Sequence, residues 1–178
     1  MDLLNAIMDA QGGDAVSQIA KKLNISDSDA GNVIGQLAPA LGRGLAKNAE
    51  ASGGLDALLG ALQKGNHQRY VDNPALATDD DGVNEGNKIL GHILGNKDVS
   101  RQLASRAAEQ TGVSDGLIKQ MLPMIASMAM GALSNKTNEA PESGSALGGL
   151  VGAFLGGGGG KNDMVDDLLG VAGSFLRR

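Results

Sequence analysis

The sequence predicts an all-α protein: two tandem, divergent helical units of about four helices each, followed by one further C-terminal helix. Three observations predict it. Apolar residues recur at three- and four-residue spacings along most of the 178-residue chain. Alternating runs rich in β-branched and aromatic residues, the mark of strands, are nearly missing, with Phe 2, Tyr 1 and no Trp. Similar segments also return in the same order roughly 85 residues apart.

The first unit spans residues 1–65. Residues 2–10 (DLLNAIMDA) set Leu3, Leu4 and Ile7 at helical spacing, and Gln11-Gly12-Gly13 ends that turn. Asp14 starts a helix with Val16, Ile19, Ala20 and Leu23 on one face. Ser26 and Asp27 are N-cap candidates for a third helix carrying Val33, Ile34, Leu37 and Leu41. Pro39 falls inside that pattern, where its missing N–H is expected to kink the helix or start a new one. Leu55, Leu58, Leu59 and Leu62 form a short fourth helix between Ser52-Gly53-Gly54 and Gly65.

Turn formers accumulate from Gly65 to Gly82, so residues 66–85 read as a connecting loop. The second unit, 86–134, opens with Ile89, Leu90, Ile93 and Leu94 and is stopped by Gly95-Asn96. Val99, Leu103, Ala107 and Ala108 follow, ended by Gly112. Ser114 then caps a long apolar helix from Leu117 to Leu133, interrupted by Pro123. Residues 135–145 are a polar linker, 146–161 a glycine-rich helix and break, and 162–178 a C-terminal helix.

The repeat is legible segment by segment. LLNAIM answers to ILGHIL, AKKLNIS to AEQTGVS, VIGQLAP to LIKQMLP, and GGLDALLGAL to GGLVGAFLGG. The opening slot returns once more as LLGVAG at 168–173. The C-terminal helix is thus expected to correspond to the first helix of a unit, without the rest of that unit after it in this sequence.

The second unit, with ILGHILG, a small helix ending in Gly-Val-Ser-Asp, then LIKQMLPMIASMAMGAL and a glycine-leucine tail, resembles the bacterial domain-of-unknown-function family numbered 937. Its markers are Gly86, Ile89, Leu90, His92, Ile93, Leu94, Gly95, Gly112, Met121, Leu122 and Pro123. The resemblance implies an all-helical bacterial protein and brings no catalytic or binding residues. The first unit departs from it, with Asn24 in place of Gly112 and Asn5-Ala6 facing Gly91-His92.

Composition narrows the function. A net charge of -5 argues against phosphate backbones or anionic lipid as the main target. With no cysteine there is no disulfide, thiolate zinc site or thiol nucleophile. The start Met1-Asp2-Leu3-Leu4-Asn5 has no basic region, and no window reaches the roughly 20 apolar residues that span a bilayer, so a cytoplasmic protein is expected.

Single features point the same way. His92 has no partner histidine three or four residues away and is expected at a helix–helix contact, while His67 lies in the loop. Asp79-Asp80-Asp81-Gly82 resembles half a calcium loop, but aligning its glycine puts Ala77 and Lys88 at the two end ligands, so it reads as the acidic flank of a helix. QIAKKLNIS resembles the start of a helix-turn-helix, yet its recognition helix would open Asp27-Ser28-Asp29 and repel phosphates. Lys161 after the glycine run lacks the hydroxyl and strand of a P-loop.

The most distinctive feature is a glycine ladder, Gly144, Gly148, Gly152, Gly156 and Gly160, spaced one helical turn apart. Such a groove of bare backbone suits close helix packing. With Phe154, and with Leu168, Leu169 and Phe175 of the last helix, it forms the candidate interaction surface. The expected function is a non-enzymatic helical scaffold or interaction module without cofactor or metal, self-assembling or bound to a protein partner. A peripheral membrane or lipid-binding protein is the alternative, and a small DNA-binding regulator the second.

Overall fold

A computed structural model of the chain describes residues 7–8 and 13–138, which form helices with no strand among them. Ile7 and Met8 are helical, and Ile7 is fully buried. Eight further helices follow: α1 (Asp14–Leu23), α2 (Asp27–Glu50), α3 (Gly54–Lys64), α4 (Arg69–Asp72), α5 (Ala75–Thr78), α6 (Asp80–Leu94), α7 (Lys97–Thr111) and α8 (Asp115–Asn138).

Local chemistry sets the ends of these helices. α1 stops where Asn24 takes a left-handed conformation (φ 55°), its N–H reaching back to the Ala20 and Lys21 carbonyls. The Ser26 hydroxyl then accepts the Asp29 N–H at 3.0 Å and opens α2. The α7–α8 turn is built the same way: Gly112 (φ 75°) ends α7, its N–H on the Ala108 carbonyl, and the Ser114 carbonyl accepts the Leu117 and Ile118 N–H groups. The two turns also share a clasp. Ser17 Oγ donates to Asp27 at 2.8 Å, and Ser105 Oγ donates to Asp115 at 3.3 Å, each pair ten residues apart.

Both halves of the chain feed one hydrophobic core. Its axis is α8, which packs against each of α1 to α7. All residues from Met121 to Ser134 are buried, as expected for a helix whose apolar and small side chains run round its full circumference. By length and composition, Asp115–Asn135 qualifies as a membrane span, which corrects the expectation that no segment does. In the fold 78% of that window is buried within the protein, the position of a core helix.

Three further expectations need correction. Residues 66–85 are not a loop: they hold α4, α5 and the opening of α6. Asp79 sits at the N-cap of α6 with Asp80 and Asp81 in its first turn, where acidic side chains favour a helix start. Pro39 and Pro123 do not divide their helices, since α2 and α8 both run through them. Pro removes only one backbone donor, and the buried flanks of both helices hold the remaining turns together. The polar linker begins later than 135, because α8 continues to Asn138.

Glycine governs how closely the helices approach. On α6, Gly82 and Gly86 lie one turn apart and serve two neighbours: a Cβ at Gly82 would overlap the Leu76 carbonyl and the Ala77 backbone of α5, while Gly86 faces α8. A Cβ at Gly86 would overlap the Pro123 carbonyl and lie 2.8 Å from Pro123 Cα. At Gly82 the buried Ser127 hydroxyl instead donates to the glycine carbonyl at 2.7 Å. Gly131, on α8, abuts the His67 carbonyl and Val71. On α2, Gly44 lets the backbone approach Ile93, and one turn later the Asn48 amide donates to the His92 and Ile93 carbonyls at 2.6 and 3.1 Å. These are carbonyls that the end of α6 leaves without a helical partner, so Asn48 acts as a cap supplied from another helix.

Candidate functional site

The described residues form a cleft that the sequence did not foretell as a site, although Leu58, His67, Ile89, His92 and Ile93 of its lining are residues the sequence names. A cleft of about 400 Å³ opens between α2, α3 and α6 and is floored by Met130 of α8. Leu45 of α2, Ala57, Leu58 and Ala61 of α3, and Ile89 and Ile93 of α6 make its walls apolar. Asn48, Glu85, Lys88 and His92 bring polar groups to it. α3 is the more exposed wall of the cleft. Leu62 is buried and Leu58 and Leu59 are half-buried, but Ala57 and Ala61, one turn apart, remain exposed.

His67 lies at the back of the cleft and is 5% exposed. Its ring occupies the space above Gly65, where any Cβ would overlap it, and stands 6.4 Å from the buried Tyr70 ring. Arg69 covers the Tyr70 ring at 4.8 Å and donates to its hydroxyl at 2.7 Å. Burial holds the His67 pKa below its ordinary 6.5, outweighing the Glu85 carboxylate and a hydrogen bond with the Ala61 backbone, which raise it. His92 departs from its expected role. Its imidazole is exposed at the cleft, and only its carbonyl takes part in the α2–α6 contact.

The neutral buried His67 has a consequence for stability. In the unfolded chain it binds a proton near pH 6.5, whereas in the fold it resists protonation to lower pH. Its contribution is therefore complete above about pH 6.5 and is lost progressively as the pH falls from there to the folded-state pKa. Denaturant midpoints should fall on acidification through this window more steeply for the natural chain than for His67→Gln. Parallel curves for the two proteins would show that His67 does not titrate differently on folding.

Among the described residues, no group of three or more His, Cys, Asp or Glu side chains is placed to hold a metal ion. The interaction residues expected from sequence, Gly144, Gly148, Gly152, Gly156, Phe154, Leu168, Leu169 and Phe175, lie outside the described residues. Two signals in the sequence could have led to the cleft. Ala57 and Ala61 interrupt the leucines of α3 with small side chains one turn apart, and Lys88 and His92 share a face of α6.

No curated protein and no solved structure matches the chain. The model of a family described as bacterial protein of unknown function (DUF937) matches residues 5–136, a stretch that takes in the α6–α8 core and all of the cleft. With most of its length covered by that match, the chain belongs to the DUF937 family of bacterial proteins.

Proposed function

We propose that the protein is a non-enzymatic helical interaction module whose cleft between α2, α3 and α6 receives the apolar face of a helix. The observation that carries this reading is the cleft itself. Its lining is apolar along Leu45, Leu58, Ile89, Ile93 and Met130, its polar groups include the exposed Lys88 and His92, and its shape is bounded by helices on three sides. An amphipathic helix laid into an apolar groove is a recurrent mode of peptide recognition, because the groove hides the apolar stripe while the rim meets the polar flanks.

The same chain carries sequences suited to the complementary part. The glycine positions from 144 to 160 and the apolar residues of 163–176 have in sequence the spacing of helix faces that such a module would present, to a second copy or to another protein. The tandem-copy reading of the sequence draws support from the matching α1–α2 and α7–α8 turns, with their left-handed residues and Ser–Asp clasps.

The test places a photo-cross-linking residue at Ala61 in the full chain, in its own cell, with the exposed Gln102 of α7 as control position. An adduct with polypeptide from position 61 and none from position 102 is expected, its partner peptide read by mass spectrometry. Adducts no stronger at 61 than at 102 would overturn the reading.

A further inference from the structure

We infer that the helix received by the cleft is the chain's own C-terminal segment, residues 163–176, docked within the same molecule. The inference rests on reading the cleft as a helix-binding face, and it names the occupant.

The segment DMVDDLLGVAGSFL sets Val165, Leu168, Leu169, Ala172 and Phe175 at helical spacing, an apolar stripe that requires a surface to cover it. The core leaves no room for another helix, since α8 is enclosed from Met121 to Ser134. At the cleft, however, Met130 of that central helix forms an apolar floor below exposed alanines of α3. Among the described residues the cleft is an apolar face open to such a stripe.

Chain length permits the match. Met130 lies eight residues before the end of α8 at Asn138, about 12 Å along the helix axis. The 24 residues 139–162 can span up to about 80 Å, several times what a return to the cleft requires. Tethering then sets an effective concentration in the millimolar range, so even a weak helix–groove contact is populated within one molecule before a second copy competes.

Charge agrees with this pairing. Asp163 and Asp167, four residues apart, can meet the exposed Lys88 ammonium at the cleft on α6, where Glu85 is the one carboxylate among the described lining residues. Lys88 already contacts Glu85 at 3.4 Å, but with 73% of its side chain exposed that bond is weak and readily exchanged.

The absence of cysteine makes a direct test possible in the full chain. Ala61→Cys combined with Ala172→Cys should oxidise to an intramolecular disulfide at monomer mass, about tenfold faster than Gln102→Cys combined with Ala172→Cys. Adding Leu168→Asp and Leu169→Asp should slow the cleft pair to the control rate. Equal rates for the two pairs, or disulfide-linked dimers in place of the monomer, would overturn the inference. If the disulfide fails while photo-cross-links from Ala61 still reach another polypeptide, the cleft binds a helix from elsewhere and only this inference falls. If both fail, the interaction reading falls with it.

Discussion

Replacing Gly86 by alanine should destabilise the protein by about 3 kcal/mol, and by valine more, because the added carbon is driven into backbone. The atoms it would meet are the carbonyl, carbonyl carbon and Cα of Pro123, none of which can rotate away as a flexible side chain would. Relief requires α6 and α8 to move apart along their closest contact, which also stretches the Ser127–Gly82 hydrogen bond one turn away. Gly91 of the same helix supplies the control. Nothing lies within 4 Å of its would-be Cβ, so Gly91→Ala should stabilise by up to about 1 kcal/mol through helix propensity alone. Denaturant midpoints for the two variants should therefore shift in opposite directions at unchanged slope. A Gly86→Ala shift matching that of Gly91→Ala would mean that the α6–α8 contact is looser than described.

Gly86, with Gly82 one turn before it, also explains what the sequence hid. Helical periodicity is read from large apolar side chains, and by that measure α6 begins only near Ile89. Its buried face is Gly82, Gly86, Ile89, Leu90 and Ile93, a helical spacing that becomes visible only when glycine is counted as a contact residue. Residues 79–85 consequently resemble a loop or half a calcium site. The long apolar helix α8 was legible because most of its buried residues are Met, Leu, Ile and Ala, and the positive-φ stops at Gly95 and Gly112 fall where the sequence places its breaks. The prolines misled in one respect: of the kink or new helix that a local rule predicts at Pro39 and Pro123, the new helix does not occur, because both helices run on through buried flanks.

The cleft was beyond the reach of local reading for a different reason. Its walls come from α2, α3 and α6, and their juxtaposition depends on contacts between residues about 45 apart, such as Gly44 with Ile93 and Asn48 with His92. Periodicity assigns each of those residues to a helix but does not say which helices meet. His67 shows the same limit, since a histidine in a polar connection gives no sign that Gly65 makes space for its ring or that burial will hold it neutral.

The second large effect is expected at the centre of α8. Ile125 is fully buried in a helix that touches each of α1 to α7, and Ile125→Ala should cost about 4 kcal/mol, since the enclosing helices cannot close around the lost volume from any one side. Ile125→Val should cost about 1 kcal/mol, and Leu59→Ala on the half-buried α3 less than Ile125→Ala. The form of the transition is as informative as its size. If each sequence copy folded as a separate body, Ile125→Ala would weaken the second and leave the first unchanged, giving two transitions of which one moves. With α8 as the axis of a single core, probes placed on α1 and on α7 should report one shared transition that moves as a whole. Separation of the two probes, with the α1 signal unmoved, would show that the two halves of the described chain keep independent stability. Their coincidence would show that both halves depend on one central helix.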